Sequence, residues 1–330
     1  MKISITYDYE LFFGDTTGTA ERCILQPTRD LIELAKRTNA KFTFFIDVGY
    51  LKKLKEYKSA HPILEKDYQA VSDQIKKLTE LGHACELHIH PHWEDSEFEN
   101  GQWNMVVKRY KLADFEEGDA KKIIEEYYHL LAEITGVKPT CYRAGGWCLQ
   151  PFRYKDIFEQ LGLRIDSTSF RGGSNKKGNY YYDFANLPDK DSWKFANDFC
   201  NEDENGNLIE IPIASQKYSS LFFWKLFLLG RLSPDKHKPI GNGFPMASPG
   251  LRKEMLTNGK LLCSSVDGYF VTKLDKSIKE YSKRNWERVV FIGHPKANTK
   301  FALDKLEKFI HRHQNDHSFV TLPSLINEES

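Results

Sequence analysis

A chain of 330 residues with 40% apolar and 13% aromatic residues is long enough for a sizeable core and too apolar to be a disordered segment. Lys plus Arg number 47 against 46 Asp plus Glu, a formal net charge of +1, so no positive field stands ready for a polyanion and nucleic acid is excluded as the main partner. No stretch reaches the ~18 apolar residues of a membrane span, and the six scattered cysteines form no CxxC pair, which points to a reducing, cytoplasmic setting.

The chain runs from Met1 straight into an apolar segment, without the pattern of a secretory signal. Residues 3–7 read as a first strand, 27–36 as a helix entered through Pro27, and 41–46 (KFTFFI) as a second strand. Tyr68, Val71, Ile75 and Leu78 fall on one helical face, Gly82 ends that helix, and 84–89 follows as a third strand. Ile123, Ile124, Tyr127, Leu130, Leu131 and Ile134 mark another amphipathic helix stopped at Gly136. Short strands at 140–143 and 163–166 flank a helix at 151–161; further strands are expected at 208–213 and 289–292, and a closing helix at 300–311. Such alternation implies repeated β-α units: a distorted (β/α) barrel of about seven strands, one domain over 1–330 with long loop insertions. The pattern weakens at about 171–262, which is expected to be a variable insertion.

Chemistry concentrates in Gly82-His83-Ala84-Cys85-Glu86-Leu87-His88-Ile89-His90-Pro91-His92, where four of the chain's 11 histidines stand within ten residues. Neutral imidazole is the commonest zinc ligand. On a continuing strand His88, His90 and His92 face one way. If the chain turns after Ile89, His88 and His92 converge instead through one helical turn. The alternative to a metal site is a polar strand end with incidental histidines. Asp8 and Glu10 close the first strand, where barrels place catalytic groups. A divalent site needs an anionic ligand, and hydrolysis needs a base. Arg143, Asp166 and His294 each close a separate strand, so a barrel gathers them on one face, although singly each reads as an ordinary ion pair, helix cap or structural histidine.

With these residues in order the chain resembles the polysaccharide deacetylase family, the carbohydrate esterases that share the NodB homology domain. The resemblance covers about residues 1–170 and 285–325. It implies Asp8 as catalytic base and Glu10, His88 and His92 as ligands of one divalent ion. It also implies Arg143 as orienting arginine, Asp166 as the aspartate of the fourth motif, and His294 as general acid. Zinc is favoured, with cobalt, nickel or manganese compatible. The roles of Asp8 and Glu10 are exchangeable within the family's pattern, and His90 has no family role; it is expected to support a ligand from behind. Two departures stand out: Tyr9 and Glu10 stand where the family's first motif has a second aspartate and a glycine, and Gly145 stands where its third motif has proline, which bears on the shape of the groove.

The expected substrate is an N-acetylated or O-acetylated sugar or polysaccharide precursor; the wording of 180–199 is similar to deacetylases of surface-polysaccharide biosynthesis. Rival readings are a metal-dependent amidase on a small or cyclic amide and a non-catalytic sugar-binding relative. Tyr9, Trp93, Trp147 and Phe170 are candidates to stack on sugar rings, against the commoner fate of core packing. Residues 221–229 (LFFWKLFLL) are too short to span a bilayer but suit peripheral membrane contact beside Lys217 and Arg231; the alternative is a helix packed on the barrel.

Overall fold

The computed structural model describes residues 1–14, 16–148, 151–175, 181–246 and 250–326. Among these, seven parallel strands form the central sheet: β1 (Lys2–Tyr9), β2 (Phe42–Asp47), β3 (Ala84–Ile89), β4 (Cys141–Ala144), β5 (Ile165–Asp166), β6 (Leu208–Glu210) and β7 (Arg288–Gly293). Their spatial order is β6-β5-β4-β3-β2-β1-β7, so each strand lies beside its predecessor except β7, which returns to the free edge of β1. Trp193–Phe195 adds an antiparallel edge to β6, and Ser318–Phe319 pairs with the start of β1. An extended segment at Ile213 bridges Phe170 on one side and Val290 of β7 on the other, which curls the sheet into the distorted barrel expected from the sequence.

Connecting helices cover the outer face: α1 (Gln26–Thr38), α2 (Val48–Tyr57), α3 (Pro62–Glu80), α4 (Glu117–Thr135) and α5 (Lys155–Leu161). α4 stops at Gly136 with φ of 70°, a left-handed cap that glycine adopts without a Cβ clash. The part at 171–262 supplies β6, two small antiparallel strand pairs, and α6 (Ser220–Leu232) and α7 (Leu251–Asn258); its residues 176–180 and 247–249 lie outside the described set. α8 (Leu274–Lys283) and α9 (Lys300–His313) complete the shell.

Strand patterning explains how a buried sheet acquires a polar centre. On β1 the outward set is Ile3, Ile5, Tyr7 and Tyr9, which packs under helices, as when the Tyr9 hydroxyl donates to Gln74 of α3. The inward set is Ser4, Thr6 and Asp8, with Glu10 continuing the alternation, and all are buried. In-register neighbours share a face: Asp8 stands beside Phe45 and Glu86, and Asp47 beside His88 and Arg143. The barrel centre is thus lined by charged and polar groups that must find partners among themselves.

Candidate functional site

Arg143 organises that centre. Its side chain is fully buried with its guanidinium 4.0 Å above the Phe45 ring. Nη1 donates to Asp8 Oδ1 at 2.6 Å and to Thr6 Oγ1 at 2.9 Å; Nε donates to the Ser167 carbonyl at 2.8 Å. Burial disfavours the Asp8 anion, yet Arg143, His88 and His294 outweigh it and hold this carboxyl below its ordinary value. Asp8 Oδ2 is left facing His88 Nε2 at 3.9 Å and His294 Nε2 at 3.8 Å.

Glu10 makes a different set of contacts. Its Oε2 lies 2.7 Å from His90 Nε2 and 3.2 Å from His88 Nε2, and those two nitrogens are 3.0 Å apart. Three ligand atoms around one ion with bonds of ~2.0–2.2 Å are separated by roughly 3.4 Å in a tetrahedron, so this triangle fits a zinc-sized ion with modest opening. The chemistry of the donors agrees. His88 Nδ1 donates to the Arg143 carbonyl at 2.8 Å, which fixes the tautomer and turns Nε2 toward the cluster. Burial pushes His90 down to about 4, keeping its imidazole neutral and able to ligate.

Glu10 Oε1 is held by Lys296, whose Nζ donates to it at 2.8 Å and to the Leu11 carbonyl at 2.5 Å. Burial works against the Glu10 anion, but Lys296 and the two histidines keep the carboxyl well below its usual range. One oxygen is thereby committed to the lysine and the other to the imidazoles.

The structure brings together five of the seven expected site residues, Asp8, Glu10, His88, Arg143 and His294, and places two elsewhere. His92 is not the second imidazole of the cluster. β3 keeps its alternation through His90, and Pro91 then begins a 3₁₀ turn, Pro91–Asp95, that carries His92 to one side. There His92 stacks on Tyr110 at 5.4 Å and against Phe13 at 4.8 Å, with both ring nitrogens buried and unpartnered. His90, expected only to support a ligand from behind, takes the position at Glu10. Gly145 belongs to this arrangement: a Cβ there would lie 2.4 Å from His90 Nδ1, so the glycine makes room for the imidazole.

Asp166 also lies apart from the cluster. Its register partner is Tyr142, whose ring packs on Phe158 outside the sheet, so the aspartate points away from the barrel centre. It pairs instead with Glu210, its neighbour on β6. Asp166 Oδ1 accepts from the Thr168 backbone at 2.8 Å, and Glu210 Oε1 accepts from the Ser169 hydroxyl at 2.5 Å. Burial pushes Asp166 up to about 7; burial and then the Asp166 charge push Glu210 well above the ordinary range. In the unfolded chain such acids ionise near ~4, whereas the folded chain keeps Asp166 protonated up to about 7. The folded state therefore binds more protons in that window and loses stability as pH rises through it. Glu210→Gln is expected to lose less stability than the wild type between about pH 5 and about pH 8, read by denaturant unfolding. Equal losses in both proteins would contradict this.

Two participants were missed. Lys296 follows His294 by two residues in Gly293-His294-Pro295-Lys296, close enough in sequence to have been suspected. Asp267 had no signal, since it is a lone acid in the loop before α8, outside every motif. Its Oδ2 accepts from His294 Nδ1 and its Oδ1 from the His294 backbone, each at 2.8 Å. Burial disfavours the imidazolium, but Asp267, with Asp8 and Glu10 behind it, raises the His294 pKa. Asp267→Asn removes the chief support, so the His294 imidazolium is expected to lose its proton at lower pH. The alkaline limb of the pH–rate profile is expected to move to lower pH in this variant. A limb that stays put would show that His294 is not the group titrating.

Of the four aromatic candidates, Tyr9, Trp93 and Phe170 are buried in the core; Trp147 alone is half-exposed, edge-on to Phe170 and Tyr182. Trp147 follows Gly146 in the left-handed region, with φ of 58° and 60° for the two residues, a turn held directly after the Arg143 strand.

No family model and no curated protein matches the sequence. Solved structures do. A protein described as a polysaccharide deacetylase from Mycobacterium smegmatis superposes with a TM-score of 0.53 at 14% identity, over 98% of this chain and 88% of its own. A glycoside hydrolase/deacetylase from Parabacteroides distasonis gives 0.59 at 12% identity, over 98% and 70%. An allantoinase gives 0.51 at 12% identity, over 98% and 88%. At such identities the likeness is one of fold, and it spans nearly the whole chain: this is a protein of the polysaccharide deacetylase fold.

Proposed function

We propose that the protein is a metal-dependent hydrolase that removes acetyl groups from acetylated sugars, N-acetyl in the first instance. The observation that carries this reading is the triangle of Glu10 Oε2, His88 Nε2 and His90 Nε2, 2.7–3.2 Å on a side, with Asp8 and His294 beside it. A divalent ion held there, zinc before cobalt, nickel or manganese, supplies Lewis acidity and an activated water. The protein's own groups do the rest. Asp8, ionised and steadied by Arg143, accepts a proton through Oδ2. His294, oriented by Asp267 and one-quarter exposed at its side chain, delivers a proton to the leaving nitrogen or oxygen. Lys296, bonded to Oε1, would leave Glu10 a single oxygen for the ion. All six cysteines are free thiols, in keeping with a reducing compartment.

A second reading, hydrolysis of a small cyclic amide, is favoured by the likeness to an allantoinase. A substrate panel separates the two. Acetate released from N-acetylated mono- and oligosaccharides, with cyclic amides untouched, supports deacetylation. Ring opening of a cyclic amide without acetate from any sugar replaces it with the amidase reading.

A further inference from the structure

We propose that α6 and its flanks form a docking surface for an anionic lipid bilayer. Ten large apolar side chains are exposed among the described residues, and six of them lie within 221–261: Leu221, Trp224, Leu228, Leu232, Phe244 and Leu261. The first four fall at i, i+3, i+7 and i+11 of α6, which at 100° per residue is a single stripe less than a quarter-turn wide. They are 76%, 58%, 55% and 71% exposed. The opposite side of the same helix is already satisfied, with Phe222 and Phe223 buried against Tyr218 and Phe270. A helix that needed only to cover the barrel would carry polar residues on its outer side; this one is apolar there too.

Charge complementarity selects the occupant. Residues 217–260 hold eight Lys or Arg against two Asp or Glu, although the whole chain is at only +1. Lys225 and Arg231 are exposed on either side of the stripe, where basic heads meet lipid phosphates while Leu and Trp enter the acyl boundary. Trp224 already satisfies its indole N–H on the Leu256 carbonyl, so its ring can enter an apolar layer without stranding a donor. Thirteen residues make a helix of ~20 Å, which lies in the interface and cannot cross it.

The surface also adjoins the site. Beyond α6 the chain returns to the catalytic rim, where Ile240 N donates to the Asn298 carbonyl and Gly241 N to the Lys296 carbonyl. Exposed Phe244 is held by its backbone on Thr16. Docking would therefore bring the site to a bilayer surface, suited to a sugar carried on a lipid.

The test is flotation of the full chain with vesicles of phosphatidylcholine, with and without phosphatidylglycerol. The wild type is expected to float with the anionic vesicles, less so at high salt. Leu221→Ser/Leu228→Ser/Leu232→Ser and Lys225→Ser/Arg231→Ser are each expected to weaken partitioning by roughly tenfold or more. Both variants alter exposed positions and keep metal content and turnover of soluble substrate, so failure of the docking proposal is distinct from failure of the catalytic one. A wild type that stays with the protein fraction in anionic vesicles overturns the proposal, as do variants that float equally well. A concentration-dependent dimer in sedimentation, abolished by the leucine variant and unaccompanied by flotation, would assign the stripe to a second copy instead.

Discussion

Asp8→Asn is expected to lower turnover by about 10²–10⁴-fold, the usual contribution of a positioned base, with metal content unchanged. The amide keeps the shape of the carboxylate and still accepts from Arg143, but it cannot take a proton. Asp8 touches neither His90 nor Lys296, and its Oδ2 stands 3.9 Å from His88 Nε2, outside hydrogen-bond range. An equal loss in Glu10→Gln has a different origin: that variant is expected to lose the ion as well, because Glu10 Oε2 is the one anionic corner of the triangle. Parallel elemental analysis and steady-state kinetics on the two variants separate base from ligand. Metal lost in Asp8→Asn and kept in Glu10→Gln would exchange their roles.

His90→Ala is expected to lower metal affinity by more than about 100-fold, with His92→Ala close to the wild type in metal content. The contrast is sharp because the two histidines are two residues apart and both buried. His90 Nε2 lies 2.7 Å from Glu10 Oε2 and 3.0 Å from His88 Nε2, whereas His92 stacks on Tyr110 without a polar partner. Burial also keeps His92 neutral, well below the ordinary imidazole range, so its removal leaves no unpaired charge. Truncating it opens space under Tyr110 and Trp93, and a loss of stability without loss of metal is the expected result. Metal retained in His90→Ala and lost in His92→Ala would restore the His88–His92 pair that the family resemblance implies.

The contrast shows how far the sequence could be read. Strand alternation already places His88 and His90 on one face, and that local rule survives in the structure because β3 stays extended up to Pro91. The wider spacing needed the chain to turn after Ile89, one residue too early. The succession of elements was legible because short apolar runs alternate with amphipathic helices, the pattern of a (β/α) barrel. β5 was legible as a strand, but its facing was not. Only the pairing of Ile165 with Cys141 and of Asp166 with Tyr142 decides that Asp166 turns outward. Asp267 was out of reach for a related reason, and Lys296, though it stands near His294 in sequence, could not be given its partner. Each follows or precedes a strand by a loop, and the closure of β7 on β1 determines that Lys296 meets Glu10, 286 positions away. Gly145 was noticed as a departure from the family, and its meaning came only with the His90 ring against it.

Acetate release from an N-acetylated oligosaccharide, followed on one preparation as purified, after chelation and after zinc is restored, tests the central claim most directly. Release is expected to vanish on chelation and return with the ion, without loss of the folded state, since Lys296 and His90 still satisfy Glu10 when the ion is gone. Acetate release that persists undiminished in the chelated protein, with no metal left by elemental analysis, would contradict it.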